Sequence, residues 1–308
     1  MLIPGLVPEK DRIARTLVAQ NIGEDTALLE QGSILQFTRP GGGFYDFRDL
    51  LHNPLRKYGS GISVAFFCNS VRFEEKAMSK NWQQRQVRLI GEDKTELLSQ
   101  MRIMVCGLGG VGGNCCEALC RAGIGTLILI DNDTVNETNI NRQAFATKNT
   151  VGMKKTDAAL ERLCAINPDI ECVLVDAFLN PENIPEILAE FHPDYVIDAI
   201  DNVTAKVSLA LECDKSNIPL IASMGTGNKL NPELLKINDI SKTSVCPLAR
   251  VMRKKMKDLG IKKYEVLWSD EVPTVPEDGE RTPASISFVP PCAGIMIAGR
   301  VIRRLINM

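Results

Sequence analysis

The sequence of 308 residues has ten cysteines but no Cys-x-x-Cys pair. A structural zinc site built from two such pairs is therefore excluded. Several of the cysteines lie inside apolar runs, where a thiol packs as a small hydrophobe, and we interpret most of them as reduced core residues. Only two histidines exist, and neither is close in sequence to Cys246 or Cys292. We therefore interpret these two cysteines as structural too, while a sulfur-relay role for them stays open.

The chain also lacks a strong charge of either sign and a long apolar run, and we expect no leader sequence. Its formal net charge of −2 argues against bulk electrostatic binding of nucleic acid, although a local basic patch is compatible with it. The N-terminus has no basic segment followed by an apolar core, and no apolar run approaches the ~20 residues that span a bilayer. We expect a globular, cytoplasmic protein without a membrane partner.

The first 77 residues differ from the rest of the chain. They contain Gly41-Gly42-Gly43 and scattered aromatic residues, without sustained periodicity, so neither helices nor strands are predicted there. One interpretation is a misjudged gene start, with translation beginning at Met78; the other is a genuine N-terminal extension. The predicted domain boundaries are 1–77 for this extension and 78–308 for the main domain.

Beyond residue 80, helical patterns alternate with short apolar runs. The predicted strands are Arg102–Cys106, Thr126–Ile130, Glu171–Val175, Tyr195–Ala199 and Leu220–Ser223. The predicted helices are 81–100, Gly110–Ala122, Met153–Ile166, Pro181–Phe191 and Val203–Ser216. Such alternation indicates an α/β fold of the Rossmann-like, doubly wound type, with a mainly parallel sheet covered by helices on both faces.

From about residue 225 the alternation loosens. We predict strands at Glu233–Asn238, Tyr264–Trp268 and Ser285–Val289, a basic helix at Pro247–Leu259, and a last helix after Pro290-Pro291. We interpret this region as a C-terminal extension of the same domain.

A glycine-rich turn follows the first predicted strand and opens the first helix. Its glycines are Gly107, Gly109, Gly110 and Gly112. Glycines permit a tight turn and a close approach of the backbone to phosphate, and the helix N-terminus adds partial positive charge. Asp131 ends the second strand, where a carboxylate accepts hydrogen bonds from ribose hydroxyls. A nicotinamide or flavin enzyme fits these features as well as an ATP-dependent one.

A polar segment after the second strand favours ATP. It contains Asp133, Asn139, Arg142 and Gln143, and Lys155 follows thirteen residues after Arg142. Arginine and lysine neutralise the charge of a triphosphate during attack at the α-phosphorus, whereas a dehydrogenase does not need this cluster. Asp201 ends the fourth strand, where a carboxylate beside phosphates suits Mg²⁺.

These residues carry a family resemblance. The stretch 101–223 resembles the adenylating enzymes related to ubiquitin-activating enzyme, including the ThiF and MoeB proteins. In that family, motifs matching Gly107–Gly112, Asp131, Asn139, Arg142, Lys155 and Asp201 bind ATP and Mg²⁺ and support adenylation; we add Asp133 and Gln143 to the expected ATP site. Arg85, six residues before Gly91, resembles an arginine that reaches the nucleotide of the partner subunit in family dimers, which implies a homodimer with Arg85, Arg142, Lys155 and Asp201 as its catalytic residues.

The C-terminal region points to one subfamily. The stretches Asp239–Thr243, Pro247–Val251 and Ser285–Pro291 resemble those of bacterial tRNA threonylcarbamoyladenosine dehydratases, and the resemblance covers about residues 80–308. It implies ATP-dependent cyclisation of N6-threonylcarbamoyladenosine in tRNA. In some bacteria the family is linked to a cysteine desulfurase and sulfur-acceptor system, which we consider as a further partner.

The basic helix is compatible with a tRNA substrate. It carries four cations that we predict to contact phosphates, namely Arg250, Arg253, Lys254 and Lys257. A solvated helix face is the simpler interpretation of this helix alone. Two other functions stay open: a sulfur-carrier adenylyltransferase, which the missing Cys-x-x-Cys pairs disfavour, and a nucleotide-binding dehydrogenase or sensor, which Arg142 and Lys155 disfavour.

Overall fold

In a computed structural model of the chain, the described residues are 28–31, 34–38, 44–45, 56–57, 63–67, 80–275, 277 and 283–308. The chain divides into two compact units, Met1–Arg56 and Lys57–Met308. The first unit contains an antiparallel three-stranded sheet of β1 (Leu28–Gln31), β2 (Ile34–Thr38) and β3 (Phe44–Tyr45). The predicted domain boundary after residue 77 lies outside the described residues and stays a prediction.

The remaining described strands form one nine-stranded sheet. These strands are β4 (Arg56–Lys57), β5 (Ser63–Phe67), β6 (Arg102–Cys106), β7 (Thr126–Ile130), β8 (Glu171–Asp176), β9 (Tyr195–Asp198), β10 (Leu220–Ser223), β11 (Leu235–Asp239) and β12 (Glu265–Ser269). The described α-helices are α1 (Gln84–Ile90), α2 (Glu92–Gln100), α3 (Gly112–Arg121), α4 (Lys155–Ile166), α5 (Ile184–Phe191), α6 (Val203–Lys215), α7 (Pro247–Asp258) and α8 (Val289–Leu305). None of them is long and apolar enough to cross a membrane.

The strand order is β11-β12-β10-β9-β6-β7-β8-β5-β4. The six strands from β12 to β8 are parallel, and β11 and β5 pair antiparallel at their margins. From β6 the chain moves one way through β7 and β8, and then the other way through β9, β10 and β12. The order therefore reverses between β6 and β9, and in open α/β sheets a ligand binds outside the carboxyl ends of the strands at such a point.

Alternating side chains of the central strands enter two cores. On β6, Ile103 and Val105 pack with α3, α4 and α8 on one face. Met104 and Cys106 pack with α5 and α6 on the other face. A third cluster joins α7 to β10 and β12, so the C-terminal extension belongs to the same sheet. The doubly wound, mainly parallel fold predicted from the sequence is confirmed.

Two predicted elements are wrong. The helix predicted over 81–100 is interrupted at Gly91, whose φ of 89° separates the end of α1 from the start of α2. The strand predicted at Ser285–Val289 does not form: 283–288 is irregular, and α8 already begins at Val289 with prolines at its first positions. Proline fixes φ near the helical value and lacks the N–H that a first turn leaves unpaired, which favours helix initiation there.

Candidate functional site

The glycine turn between β6 and α3 depends on glycine at two positions. Gly107 has a φ of 89°, and a Cβ there would lie 2.9 Å from the Ala199 carbonyl oxygen, beyond β9. A Cβ on Gly112 would lie 1.8 Å from the Gly107 carbonyl oxygen. At Gly109 the nearest atom would be Gln143 Nε2 at 4.0 Å, which leaves open space beside the N-terminus of α3. An anionic group can approach the backbone there.

The fourth glycine of the turn faces the C-terminal helix and the arginine predicted to act in catalysis. A Cβ on Gly110 would lie 2.9 Å from Pro290 Cβ and 3.2 Å from Arg142 Cγ. Asn114 Nδ2 donates to the Gly110 carbonyl oxygen at 2.7 Å and to the Arg142 carbonyl oxygen at 3.1 Å. The turn, the Arg142 segment and the start of α8 thus form one packed corner.

Asp131 lies directly after β7 and joins this corner. Its carboxylate accepts hydrogen bonds from Leu108 N–H at 2.7 Å and from Asp133 N–H at 2.9 Å. Only 8% of its side chain is exposed, and burial raises its pKa above the usual value, while Lys155 and the two N–H donors act in the opposite direction. The carboxylate is oriented at the glycine turn, as a ribose acceptor requires.

Lys155 is the first residue of α4 and is held close to Asp131. Its Nζ donates to Asp133 Oδ2 at 2.7 Å and lies 3.7 Å from Asp131 Oδ1. The backbone is positioned by a hydrogen bond from Lys155 N–H to the Asp133 carbonyl oxygen and by a β-bridge between Thr134 and Lys154. A nearly buried ammonium group therefore stands beside the site predicted for the nucleotide.

The Asn139–Gln143 segment is organised by its own hydrogen bonds. Asn139 Oδ1 accepts from Asn136 N–H at 3.0 Å in a capping box of the 3₁₀ helix Glu137–Asn139. Arg142 Nη1 donates to the Thr138 carbonyl oxygen at 3.0 Å and to Asn141 Oδ1 at 2.8 Å. Gln143 is buried next to Gly109. Asn139 thus shapes the loop that presents Arg142.

Asp201 lies just beyond the carboxyl end of β9, on the other side of the glycine turn. It is exposed, and its side chain makes no hydrogen bond or ion pair with the described residues. Within those residues no three His, Cys, Asp or Glu side chains come together as a metal cluster. Mg²⁺ commonly uses one or two carboxylates with phosphate oxygens and water, so a single unpaired carboxylate at this edge fits that ion.

The remaining predicted residues lie elsewhere. Arg85 is exposed on α1, and its neighbour Gln86 donates to the Ala122 carbonyl oxygen at 2.9 Å, at the far end of α3. On α7, Arg250, Lys254 and Lys257 are exposed. Arg253 differs from them, because its Nη1 donates to the Thr243 carbonyl oxygen at 2.6 Å and anchors α7 to the preceding turn.

The described cysteines are mostly buried. Seven of the nine are buried, and Cys164 and Cys292 are half-buried. Burial raises the pKa of Cys120 and of Cys213 to about 12. Thiols of this kind remain protonated and are poor nucleophiles. Cys68 lies outside the described residues.

The structure adds site residues that the sequence pattern does not predict. Asn114 links the turn to Arg142, and Asn141 Nδ2 donates to the Ser285 carbonyl oxygen at 3.2 Å, which brings the C-terminal region to the site. Asp198 and Lys206 form a buried ion pair next to Asp201. Two features of the sequence could have pointed to these residues. Asn114 lies in the first turn of an apolar helix, and Lys206 lies in the predicted helix after Asp201.

Comparisons with known proteins show which family the chain resembles. The model of the ThiF family matches residues 83–308. The tRNA threonylcarbamoyladenosine dehydratase of Bacillus subtilis (strain 168) is 40% identical over 234 residues, which is 71% of this chain and 92% of that protein. The molybdopterin-synthase adenylyltransferase of Escherichia coli (strain K12) is 36% identical over 140 residues, 45% of this chain and 55% of its own length.

A solved structure extends the similarity to the fold. The E. coli tRNA N6-threonylcarbamoyladenosine dehydratase in complex with ATP superposes with a TM-score of 0.70 and 33% identity, over 75% of this chain and 97% of that one. The family model and the extensive match to the B. subtilis enzyme lead to one conclusion: this chain belongs to the ThiF family.

Proposed function

We propose that this protein catalyses the ATP-dependent dehydration of N6-threonylcarbamoyladenosine in tRNA. The observation that carries the proposal is the corner formed by the glycine turn, Asp131, Arg142 and Lys155, in a chain with dehydratases of this name among its relatives. The threonyl carboxylate attacks the α-phosphorus of ATP and pyrophosphate leaves. The carbamoyl group of the same nucleoside then attacks the activated carbonyl carbon, the ring closes and AMP leaves.

The residues of the corner have distinct roles in this reaction. Lys155 and Arg142 stabilise the negative charge that develops on the phosphates, because both are held in place before ATP binds. Asp131 accepts hydrogen bonds from the ribose hydroxyls. Gly109 leaves the space that the phosphates need, and Gln143 borders it. Asn139 and Asp133 contribute by positioning Arg142 and Lys155.

Mg²⁺ is part of the proposal, with Asp201 as its protein ligand. Bound beside the phosphates, the ion would neutralise charge on the leaving pyrophosphate. The exposed, unpaired carboxylate just beyond β9 supports this role. Asp201→Ala is expected to abolish product formation and to leave the fold intact, since the Asp201 side chain bonds to no other residue among those described.

No enzyme thiol is required, because the nucleophile of the second step belongs to the substrate. The burial of seven of the nine described cysteines agrees with this chemistry. A sulfur-carrier adenylyltransferase is the second candidate, favoured by the similarity to the molybdopterin-synthase adenylyltransferase. The absence of Cys-x-x-Cys pairs argues against it. A cysteine desulfurase or sulfur-acceptor partner stays a prediction.

The proposal includes a cytoplasmic homodimer and a tRNA interface on α7. Exposed Arg250, Lys254 and Lys257 are spaced so that they share one face of the helix. A homodimer would give a role to exposed Arg85, whose side chain has no partner among the described residues. The position of α1 at the far end of α3 supports this role.

Nucleoside analysis of tRNA incubated with the protein and ATP tests the function. We expect threonylcarbamoyladenosine to disappear, a product lighter by one water to form, and AMP to accumulate in step with it. Reactions without ATP and with Asp201→Ala are the controls. An unchanged nucleoside, together with ATP–pyrophosphate exchange that depends on an added sulfur-carrier protein, would refute the proposal and support the second candidate.

A further inference from the structure

A buried ion pair lies behind the loop that carries Asp201. Lys206 Nζ donates to Asp198 Oδ1 at 2.8 Å, and both side chains are fully buried. Asp198 is the last residue of β9, and Lys206 lies in the first turn of α6. The pair therefore joins the two ends of the loop 199–202, with Asp201 in the segment between them.

The same carboxylate also binds the loop directly. Ile200 N–H donates to Asp198 Oδ1 at 3.2 Å. At the far end of the loop, Asn202 Oδ1 accepts from Ala205 N–H at 3.0 Å and caps α6. Ala199 N–H donates to the Cys106 carbonyl oxygen at 2.8 Å, and the Ala199 carbonyl oxygen forms the wall against Gly107. One loop thus borders the glycine turn and presents Asp201.

Packing alone does not account for two buried charges at this place. Apolar residues of similar volume commonly stabilise a core as well as a buried ion pair does. The pair also lies in a polar group that is incompletely bonded: within the part of the chain that the structure describes, neither Asp198 Oδ2 nor the Tyr264 hydroxyl has a hydrogen-bond partner of good geometry. Burial raises the pKa of Tyr264, and the Asp198 carboxylate raises it further. A buried, incompletely bonded pair at the two ends of the loop 199–202 is therefore better explained by a role in orienting that loop.

We propose that the Asp198–Lys206 pair positions Asp201 for Mg²⁺. The ion pair connects the end of β9 to the start of α6 and so fixes the path of the backbone through residues 199–202. The path of the backbone in turn sets the direction of the Asp201 carboxylate. Both side chains are fully buried and would not reach ATP, so both are positioning residues. The inference rests on the proposed function only in taking Asp201 as the ligand of Mg²⁺ beside ATP.

Three variants separate positioning from stability. Asp198→Asn and Lys206→Met each leave one buried charge without its partner and should lower Tm strongly. The double variant carries neither charge, so its Tm should recover. Calorimetric titration with ATP, in Mg²⁺ and in EDTA, is the readout, because it needs no tRNA. We expect the double variant to match the wild type in EDTA and to lose about tenfold or more of the affinity gained with Mg²⁺.

The outcomes are distinct. A double variant with a wild-type gain in Mg²⁺ would overturn the proposal and leave the pair a purely structural feature. If the double variant does not fold, Lys206→Arg is the alternative, because it keeps the charge but alters the geometry of the pair. A normal Tm with a reduced Mg²⁺-dependent gain in ATP affinity supports positioning. A normal gain in ATP affinity overturns the proposal. A wild-type protein that gains ATP affinity from Mg²⁺ but leaves tRNA unchanged would refute the proposed function alone.

Discussion

The ammonium group of Lys155 lies 2.7 Å from Asp133 Oδ2, although 63% of the Asp133 side chain is exposed and only 9% of the Lys155 side chain is. An ion pair with such an exposed partner contributes at most about 1 kcal/mol to stability. The pair therefore serves mainly to hold a nearly buried cation beside Asp131. We therefore expect ATP phosphates to replace the Asp133 carboxylate as the partner of Lys155 at little cost in stability.

This relationship predicts that Lys155→Ala loses activity far more than stability. Removing one preorganised charged donor costs about 10²–10³ in kcat. Lys154→Ala is the matched control, because the neighbouring lysine is half exposed and pairs with Asp176 at 2.5 Å. AMP formation and Tm should be measured for both. Equal activity of the two variants would show that Lys155 has no role in catalysis.

The glycine turn predicts two different effects of adding a methyl group. In Gly112→Ala the new Cβ would lie 1.8 Å from the Gly107 carbonyl oxygen, so the backbone must shift at a cost of about 1–3 kcal/mol or more. In Gly109→Ala the nearest atom is 4.0 Å away, so the protein should fold normally but bind ATP more weakly. Thermal unfolding and the KM for ATP distinguish them. The same Tm for both variants would contradict the packing described for Gly112.

The raised pKa of Asp131 predicts a dependence of ATP binding on pH. Burial raises this pKa above 3.8, so the folded protein takes up a proton at a higher pH than the unfolded chain does. Below this raised pKa, protonation relieves the burial penalty and favours folding, but it neutralises the carboxylate that we propose as the ribose acceptor. The KM for ATP should therefore rise as pH falls from 7 toward the raised pKa. Asp131→Asn should show a high KM with a flatter profile; parallel profiles would exclude Asp131 as the titrating group.

How much of this site is predictable from sequence depends on the range of the interactions. The bounds predicted for β6, β7 and β10 are correct to the residue, because each strand is a buried apolar run with turn residues close by. The strand predicted at Ser285–Val289 is wrong, because its alternating apolar residues imitate the pattern of a strand. The conformation of this segment depends instead on residues far away in the sequence: Asn141 donates to the Ser285 carbonyl oxygen, and Ala284 N–H donates to Asn228 Oδ1. The Asp198–Lys206 pair likewise connects a strand to a helix, and no local pattern reveals it.

The exposed cations of α7 predict salt-dependent tRNA binding. Replacing Arg250, Lys254 and Lys257 by glutamine should weaken binding and lower the slope of log affinity against log salt by roughly one for each phosphate that is no longer neutralised. Lys215→Gln is the control, because that exposed lysine pairs with Glu212 on α6. Filter binding over a salt series measures both. An unchanged slope in the triple variant would place the tRNA interface elsewhere.

The position of Arg85 leads us to expect that two inactive variants can complement each other in a mixed dimer. Gln86 is anchored at Ala122, roughly 15 Å along α3 from the glycine turn, so α1 lies far from the proposed nucleotide site of its own chain. Arg85→Ala should reduce turnover without changing Tm, since the side chain has no partner among the described residues.

Mixing the Arg85→Ala and Lys155→Ala proteins then decides where Arg85 acts. If Arg85 reaches across a two-fold dimer, each mixed dimer regains one complete site, and random exchange of subunits should restore about a quarter of wild-type activity. An Arg85 that acts within its own chain gives no recovery, because every site then lacks one of the two residues. The activity of the mixture after subunit exchange, compared with that of the separate variants, distinguishes these geometries.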